Sequence, residues 1–564
     1  MGSNTSLTGS HLIARALKLE GVENLFTLAG DHVLPALDVA SDAGFRLIDT
    51  RHEQAAVHMA DAWGRITGQP GVAMYTTPGF ANAIPGLASA YHAESPLLSI
   101  SGSAELPELG RGAMQEIDQV GMARPITKGA WMVTDVRRIP HMIAQALRVA
   151  YSGRRGPVHL TIPVDIQQQA VSEDDVDFYA PAEYRSAFSR NAPSESVHAA
   201  MELLRGASKP IIIAGSAAAY SRSGNALQGL IETTRIPLLT EGDARGLVSD
   251  DHPYCFGFFD AGLNRAAKML GGADVVVLLG RKQDIILGYG MAPTISPDAK
   301  IIQIDPSEAE IGRNRGVSIG IVGDIEAIAG QLAEEASRNS WADLPWLEEF
   351  HKARDEQVRS LESLAVAETP MHAMYVHKTV SQMLRDDDCL SFDGGDFCHF
   401  GKAYHASRTP KSWSYLSPMG MLGSALPAAL AAKLAYPERR SIMFTGDGSF
   451  GFNGMEFDTA VRHDLPVVAI MGNDAAWGID RQIQLQVFGK PVVTDLLPTR
   501  YDKVVEGLGG YAEHVEDPAE LAPAIQRAFD SGRPSLVNIM VQRGISPRAE
   551  ASIRRWKSDM VLPF

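Results

Sequence analysis

The sequence contains few of the features that mark secreted, membrane-spanning or nucleic-acid-binding proteins. Its three cysteines, Cys255, Cys389 and Cys398, are an odd number for a disulfide framework and lack the close Cys/His pairs of a structural zinc site. The N-terminus lacks the basic region and apolar core of a signal peptide, so we predict a cytoplasmic protein. Apolar runs such as Val275–Leu279 are far below the roughly 18 residues of a membrane span. A net charge of −16 would repel a phosphate backbone, so we expect no nucleic-acid partner.

The length and the pattern of apolar residues predict several α/β domains. A chain of 564 residues is too long for one ordinary core. Three stretches repeat an order in which a β-branched apolar run ends in Gly or Asp and a small-residue helix follows, as a parallel sheet requires. We therefore predict three doubly wound parallel-sheet domains. The predicted limits are 1–185, 190–340 and 368–545, with a connector at 341–367 and a tail or lid at 546–564.

The segment RRSIMFTGDGSFG places Gly446, Asp447 and Gly448 at the end of a predicted strand, and the next strand ends at Asn473 and Asp474. The carboxyl ends of parallel strands meet at one edge of a sheet, where glycines and helix N-termini accept an anion such as a diphosphate. Such a group needs a hard cation with oxygen ligands. We predict a Mg²⁺ site formed by Asp447, Asp474 and the carbonyl of Ala476.

The GDG motif and the residue pair 27 positions later (447 to 474) resemble the motif of the thiamine-diphosphate-dependent superfamily of acetolactate synthase, benzaldehyde lyase and 2-hydroxyacyl-CoA lyase. The resemblance runs from GVENLFTLAG to PSLVNIMVQ and implies pyrimidine-binding, middle and diphosphate-binding domains in that order. It also implies that the GDG aspartate and the second residue of the pair bind the metal, although the usual Asn is Asp474 here. The further residues that we expect at the cofactor are Gly395, Gly446, Gly448, Ser449, Trp477 and Gly478.

A second motif, TRHEQAAVHMADAWGR, resembles the start of the family's pyrimidine-binding helix. The resemblance makes Glu53 the acid that exchanges a proton with the aminopyrimidine ring. Without that setting, Glu53 would be an ordinary carboxylate at a helix N-terminus. Gly79 and Asn82, in TTPGFAN, are expected near the pyrimidine or a subunit interface, or as part of a helix cap.

Three further positions are assigned by resemblance, and each has an ordinary structural alternative. Leu422 is expected to be the apolar wedge that bends the cofactor, although it could be a core leucine and the role could fall to Met419 or Met421. His32 lines up with the active-site histidine of benzaldehyde lyase, a candidate for proton transfer, or is a histidine at a helix start. Gln115 resembles the family glutamine that faces the cofactor, or is a loop residue.

The resemblance also implies an assembly, because family members join the pyrimidine domain of one subunit to the diphosphate domain of another. We expect a homodimer as the minimal active unit, with Glu53 and Asp447 from different subunits, and a homotetramer overall. The segment LLGRKQDIILGYG lacks the Gly-Ala-Arg-Phe-Asp pattern of flavin-binding acetolactate synthases, so we predict no functional FAD.

The predicted activity is that of a carbon–carbon lyase or carboligase, and a 2-hydroxyacyl-CoA lyase is the favoured member. The basic tail, with Arg548, Arg554, Arg555 and Lys557, resembles the stretch that covers coenzyme A in those lyases, although it could be a solvated helix. RHEQAAVHMADAWGR is closer to benzaldehyde lyase and LPAALAAKLA is shared with acetolactate synthases, so acyloins and 2-keto acids are alternative substrates. A non-catalytic cofactor-binding homologue is the alternative of another class, and the presence of Glu53 argues against it.

Overall fold

The computed structural model describes residues 6–185, 189–220 and 224–557, so the last seven residues of the predicted tail lie outside the described part. The chain forms two compact units. The first contains residues 6–185, 416–437 and 453–465, and the second contains most of the remaining described residues. Three six-stranded sheets carry the fold, and every strand pairing within them is parallel. The predicted α/β class with three parallel sheets is confirmed.

The first sheet belongs to the first unit and has the strand order β3-β2-β4-β5-β7-β6. Its strands β4, β5 and β7 are buried along their whole length, as expected for a parallel sheet covered by helices on both faces. The elements are β1 (Ser6–Thr8), α1 (Gly9–Leu19), β2 (Asn24–Thr27), α2 (Leu34–Asp42), β3 (Arg46–Asp49), α3 (Glu53–Thr67), β4 (Gly71–Tyr75), α4 (Thr77–Ala93), β5 (Leu97–Ser103), α5 (Gln119–Ala123), β6 (Ala130–Met132), α6 (Ile139–Tyr151), β7 (Val158–Pro163), α7 (Val164–Gln168), β8 (Ala170–Ser172) and α8 (Pro181–Tyr184).

The second sheet has the order β11-β10-β9-β12-β13-β14. Strands β10 and β11 are added on one side of β9, and β12, β13 and β14 are added on the other side. Its core is rich in Ile, Val and Leu from the central strands. The elements are α9 (Ser194–Arg205), β9 (Pro210–Ala214), α10 (Asn225–Thr234), β10 (Leu238–Thr240), β11 (Cys255–Phe258), β12 (Val275–Leu279), β13 (Lys300–Asp305), β14 (Ile319–Val322), α11 (Ile325–Ser337) and α12 (Trp346–Glu362).

The third sheet has the order β16-β15-β17-β18-β20-β19, and its strands belong to the second unit. The helices α15 and α17, which precede and follow its strand β17 along the chain, belong to the first unit, where α15 packs on α3. The elements are α13 (Ala373–Ser381), β15 (Cys389–Phe392), α14 (Asp396–Tyr404), β16 (Trp413–Tyr415), α15 (Ala425–Ala435), β17 (Ser441–Gly446), α16 (Asp447–Asn453), α17 (Glu456–Arg462), β18 (Val467–Asn473), α18 (Gly478–Ile483), α19 (Tyr501–Gly507), β19 (Tyr511–Val515), α20 (Pro518–Asp530), β20 (Ser535–Met540) and α21 (Pro547–Lys557).

No helix within the described ranges is long and apolar enough to cross a bilayer. Cys255, Cys389 and Cys398 are all buried free thiols. Burial raises the pKa of the Cys389 thiol to about 11, so it is protonated at neutral pH. These cysteines therefore behave as small apolar core residues.

Candidate active site

Glu53 is the first residue of α3 and its side chain is buried in the first unit. A carboxylate at this position is stabilised by the positive end of the helix dipole. The Asn82 amide donates a hydrogen bond to Glu53 Oε2 over 3.0 Å. Asn82 itself is exposed, so this contact lies at the edge of the buried region. The structure thus brings together two of the residues that the sequence assigns to the pyrimidine site.

Gly79 in α4 lies against the same carboxylate. A Cβ atom at this position would come within 2.9 Å of Glu53 Oε1 and within 2.9 Å of Tyr75 Cβ. Because these distances are shorter than real Cβ contacts, only glycine lets α4 approach Glu53 and Tyr75 so closely. Gly79 therefore sets the position of Glu53 through close packing.

His32 lies in a 3₁₀ turn, Asp31–Val33, that follows β2, and it is buried in the same unit. Burial lowers the pKa of its imidazole, so the ring is neutral at physiological pH. Its Nδ1 lies 3.3 Å from Thr77 Oγ1. The Gln167 side chain donates a hydrogen bond to the carbonyl of His32 over 2.7 Å and fixes the main chain of the turn.

Gln115 is exposed and adopts a positive φ of 60°, and its side chain is not part of the buried polar region around His32. The buried glutamine of this segment is Gln119, the first residue of α5, which donates to Thr77 Oγ1 over 2.9 Å. Gln119 was not predicted as a site residue from the sequence. The signal that could have found it is its position four residues after Gln115, next to an aspartate that caps a helix.

The third sheet presents three adjacent strand ends, those of β15, β17 and β18. Gly446 and Gly472 are paired at the end of β17 and β18, so the residues that follow the two strands leave the sheet side by side. Asp447 begins α16 and is 1% exposed, and Asp474 follows β18 and is half-buried. The structure therefore places these two aspartates together at one edge of the sheet, where the sequence leads us to expect them.

The electrostatics of this pair are unfavourable without a cation. Burial raises the pKa of Asp447 to about 6. Burial, together with the negative charge of Asp447, raises the pKa of Asp474 to about 7. The Arg543 guanidinium donates to the carbonyls of Asp474 and Ala475 over 2.9 and 2.8 Å and holds the loop rather than neutralising either carboxylate by direct contact.

Asp396, the first residue of α14, is a third buried carboxyl group in this region and was not selected from the sequence. A Cβ built on Gly478 would lie 3.0 Å from Asp474 Oδ2 and 3.2 Å from Asp396 Oδ2, so both carboxylates converge on that glycine. Asp396 Oδ1 accepts a hydrogen bond from the backbone N–H of Ser546 over 3.1 Å. Burial, with a contribution from Asp474, raises its pKa to about 7. The pattern that could have revealed it is FDGGD, an acid that follows a strand adjacent to β17.

Small residues and one aromatic ring form the surface beside the acids. A Cβ on Gly448 would come within 2.8 Å of Trp477 Cε3, so the indole lies directly on that glycine. Ser449 is buried, with its hydroxyl 3.4 Å from the carbonyl of Gly394. Gly395 has a φ of 99° at the start of α14, a conformation that favours glycine. Ala476 is buried on the segment between Asp474 and Gly478.

Leu422 belongs to the first unit, in a turn three residues before α15, and it is half-buried. Met421 is also half-buried, whereas Met419 is 45% exposed. Gly423, next to Leu422, has a φ of 83°, and its carbonyl accepts a hydrogen bond from Asn453 Nδ2 over 2.9 Å. The turn is thus fixed by hydrogen bonding, and Leu422 is not enclosed in a core.

The third-sheet site fits a diphosphate held by a divalent cation. Asp447 Oδ2 is buried and has no hydrogen-bond partner in the described ranges, and the same is true of Asp396 Oδ2. A buried carboxylate oxygen without a partner is costly, and a cation would satisfy it. No cluster of three or more His, Cys, Asp or Glu side chains within 6–185, 189–220 and 224–557 has the geometry of a metal site. A metal here would therefore need main-chain, water or phosphate oxygens in addition to the two aspartates.

The chain matches three domain models of the thiamine pyrophosphate enzymes. The N-terminal TPP binding domain matches residues 7–122, the central domain matches residues 197–332, and the C-terminal TPP binding domain matches residues 393–539. Glu53 lies in the first matched range and Asp447 and Asp474 lie in the third.

Curated relatives carry two different names. A probable acetolactate synthase of Mycobacterium bovis is 36% identical over 96% of this chain and 97% of its own length. A 2-hydroxyacyl-CoA lyase of Oryza sativa subsp. japonica is 32% identical over 94% of this chain and 95% of its own length. The 2-hydroxyacyl-CoA lyase 1 of Homo sapiens is 30% identical over 97% of both chains. This chain belongs to the thiamine pyrophosphate enzyme family. The family resemblance stated from the motifs is thereby confirmed.

Proposed function

We propose that the protein is a thiamine-diphosphate- and Mg²⁺-dependent carbon–carbon lyase or carboligase. The favoured reaction is the cleavage of a 2-hydroxyacyl-CoA to an aldehyde or ketone and formyl-CoA, or the reverse condensation. Thiamine diphosphate, when bound, supplies a nucleophilic carbon that attacks a carbonyl and stabilises the carbanion equivalent. A basic pocket beside α21 supports the choice of a CoA thioester as the substrate.

That pocket has a volume of about 340 Å³ and lies between the loop 261–268, α12 and α21. Arg265 and Lys268 line it and are exposed, and Arg554 lines it from α21. Among the described residues, Glu550 is the only acid that lines it, and it pairs with Arg554 over 2.9 Å. An ion pair between Arg548 and Asp260 over 3.1 Å attaches α21 to the same loop. In a chain with a net charge of −16, a pocket with excess positive charge supports the binding of a phosphate-bearing substrate.

In the proposed reaction, Glu53 moves a proton to and from the aminopyrimidine. Its buried carboxylate, held by Asn82 and Gly79, is the group that the resemblance assigns to this role. His32, neutral and buried, would move a proton to or from the substrate oxygen. Gln115, Leu422 and the residues of the third-sheet site keep the roles that the sequence predicts for them.

Asp447, Asp474 and the carbonyl of Ala476 would hold Mg²⁺, with phosphate and water oxygens completing the coordination. Asp447 Oδ2, which has no hydrogen-bond partner among the residues that the structure describes, supports this assignment. An aspartate at 474 adds one negative charge, which favours the cation and opposes the phosphates. The domain limits, the dimer with sites shared between subunits, the tetramer, the cytoplasmic location and the lack of FAD also stay predictions. Flavin absorbance in the purified protein would contradict the last of these.

Acetolactate synthesis from 2-keto acids is the second candidate, and the 36% identity to the Mycobacterium bovis protein favours it. The two candidates, and a benzaldehyde-lyase-like reaction on acyloins, are separated by one parallel assay. The protein, loaded with thiamine diphosphate and Mg²⁺, is incubated with a 2-hydroxyacyl-CoA, with pyruvate and with benzoin. We expect consumption of the acyl-CoA with release of formyl-CoA. Turnover of pyruvate alone would overturn the CoA assignment, and no turnover of any substrate would favour a non-catalytic homologue.

A matched pair of lysine variants tests the pocket itself. Lys268→Glu reverses a charge that lines the pocket, whereas Lys300→Glu reverses an exposed lysine at the start of β13, outside it. We expect Lys268→Glu to raise KM for the acyl-CoA by about 5- to 20-fold, with no change for a substrate without phosphate. Lys300→Glu should leave both values unchanged. An equal effect of the two variants would contradict the pocket assignment.

A further inference from the structure

A continuous chain of buried polar side chains connects His32 with Tyr75 through the core of the first unit. It runs along one face of β5 and β7, on which Ser99 is paired with His159 and Ser101 with Thr161. Both strands are buried along their whole length, so these polar groups must satisfy one another. Apart from His32, none of these side chains has a role in the function proposed above.

The network begins at Tyr75. Its hydroxyl lies 2.5 Å from Ser99 Oγ, and Ser99 Oγ lies 2.8 Å from His159 Nδ1. Burial lowers the pKa of His159 to about 3, so this ring is neutral and carries one proton. With Nδ1 accepting from Ser99, the proton is on Nε2, which faces Thr161 Oγ1 at 3.0 Å and Ser101 Oγ at 3.4 Å.

The hydrogen bonds of Gln119 fix the orientation of its side-chain amide. The Ser101 hydroxyl donates to Gln119 Oε1. The amide nitrogen is therefore turned towards Thr77, to which it donates over 2.9 Å, and towards the carbonyl of Gly102, to which it donates over 3.1 Å.

Thr77 is the point at which this network meets His32. Its hydroxyl lies 3.1 Å from the carbonyl of Gly102, which can only accept, so Thr77 donates its single proton there. Its oxygen already accepts from Gln119. With that proton directed at Gly102, the contact of 3.3 Å with His32 Nδ1 is one that the histidine donates.

We propose that this buried network fixes neutral His32 as the Nδ1–H tautomer and leaves Nε2 as its proton-accepting nitrogen. Within the described residues, Nε2 of His32 has no hydrogen bond. Thr77 is the positioning residue, and Gln119 and Ser101 orient its lone pairs. The effect of the tautomer on turnover rests on the proposed function, because it requires proton transfer by His32. The tautomer itself depends only on the hydrogen bonds.

The test is a long-range ¹⁵N–¹H correlation spectrum of the full-length protein with ¹⁵N-labelled histidine rings, without cofactor at neutral pH. The His32 signals are assigned by their absence from His32→Asn. We expect Nδ1 to show the shift of a protonated nitrogen and Nε2 that of an unprotonated one. Thr77→Val removes the acceptor and should give a mixture of tautomers, whereas Thr77→Ser should restore the wild-type pattern. The opposite tautomer in the wild type, or an unchanged spectrum in Thr77→Val, would overturn the inference.

Kinetics provide the second readout. We expect Thr77→Val to lower kcat by about 10- to 100-fold with little change in KM, because the wrong tautomer impairs proton transfer rather than binding. Thr77→Ser should recover most of the loss. Thr127→Val is the control, because Thr127 is also a buried threonine of this unit and its hydroxyl donates to the carbonyl of Ala123 rather than to a side chain of the network. A loss in Thr127→Val as large as that in Thr77→Val would contradict the inference.

The tautomer of His32 and its role in turnover are tested separately. If His32→Asn retains wild-type kcat, His32 does not transfer the proton and the proposed role is wrong. The tautomer assignment is then still decided by the spectrum, which requires neither cofactor nor substrate.

Discussion

Replacing Gly448 by alanine tests the contact between the GDG turn and Trp477. The new Cβ would lie 2.8 Å from Trp477 Cε3 and 2.9 Å from Cζ3. Carbon atoms pack best at about 3.5–4.0 Å, so the indole must move by about 1 Å. Movement is resisted because Trp477 also makes an edge contact with Phe452 at 6.2 Å and its backbone N–H donates to Thr494 over 2.9 Å.

Overpacking of this kind costs about 1–3 kcal/mol. Since Gly448 and Trp477 are both predicted to contact the cofactor, we expect that cost to appear in its affinity, which falls by about 5- to 150-fold. The assay is a calorimetric titration of the apoprotein with thiamine diphosphate at saturating Mg²⁺. The melting temperature of the apoprotein is measured in parallel to detect a general loss of stability.

Gly451→Ala is the matched control, because Gly451 lies in the same helix, α16. A Cβ at this position meets no atom within 4 Å, and the glycine does not adopt a positive φ. We expect wild-type cofactor affinity and a gain in stability of about 0.4–1 kcal/mol from the lower entropy of the unfolded chain. Wild-type affinity in Gly448→Ala, or an equal loss in both variants, would refute the reasoning.

Three further outcomes are expected. Glu53→Gln preserves the shape and the contact with Asn82 but cannot exchange a proton, so cofactor binding should persist while kcat falls by at least about 100-fold; unchanged turnover would exclude the role of Glu53. Asp447→Ala should abolish Mg²⁺-dependent retention of the cofactor on gel filtration, and a variant that keeps the cofactor in the presence of a chelator would contradict the metal assignment. The third outcome concerns pH. Burial lowers the pKa of His58 and of His159 to about 3, so below pH 6.5 the unfolded chain binds more protons and the first unit loses stability as the pH falls. Burial raises the pKa of Glu20 to about 7, which acts in the opposite sense but is outweighed by the two histidines, so the free energy of unfolding should fall as the pH falls from 6.5 to 4.5. Urea midpoints measured at pH 7, 6 and 5 should decrease, and a rise would contradict this assignment.

The sheet edge that carries Asp447 and Asp474 could be predicted because two strong local patterns determine it. Each aspartate follows a buried β-branched strand, and adjacent parallel strands end at the same edge. Glu53 was predicted from the resemblance of TRHEQAAVHMADAWGR to the family's pyrimidine-binding helix, and it is the first residue of α3. In each case the acidic side chain lies next to the end of a strand or the start of a helix that the sequence predicts.

The buried network could not be predicted by that route, because its members come from β4, α4, β5, α5 and β7. Their contacts depend on the pairing of β5 with β7, which are separated by more than 50 residues of sequence. One local signal is present, since Ser99, Ser101 and Ser103 alternate along β5 and His159 and Thr161 alternate along β7. Polar residues at every second position of a fully buried strand indicate a polar core that must satisfy itself.

Gln119 and Asp396 lie outside the motifs that were matched. Gln119 stands four residues after the predicted Gln115, and spacing alone does not reveal its buried contacts. Asp396 was overlooked because its strand, β15, precedes the GDG motif by about 50 residues of sequence. Only the strand order β15-β17-β18 places the ends of these strands next to one another.

In the proposed active site, Glu53 of one subunit and Asp447 of another act on the same coenzyme. It is tested by mixing Glu53→Gln and Asp447→Ala, each inactive alone, under conditions that exchange subunits. In a hybrid dimer one site would regain both native residues, so a random mixture should recover about a quarter of the wild-type activity. No recovery, with subunit exchange verified by mass spectrometry, would contradict the account.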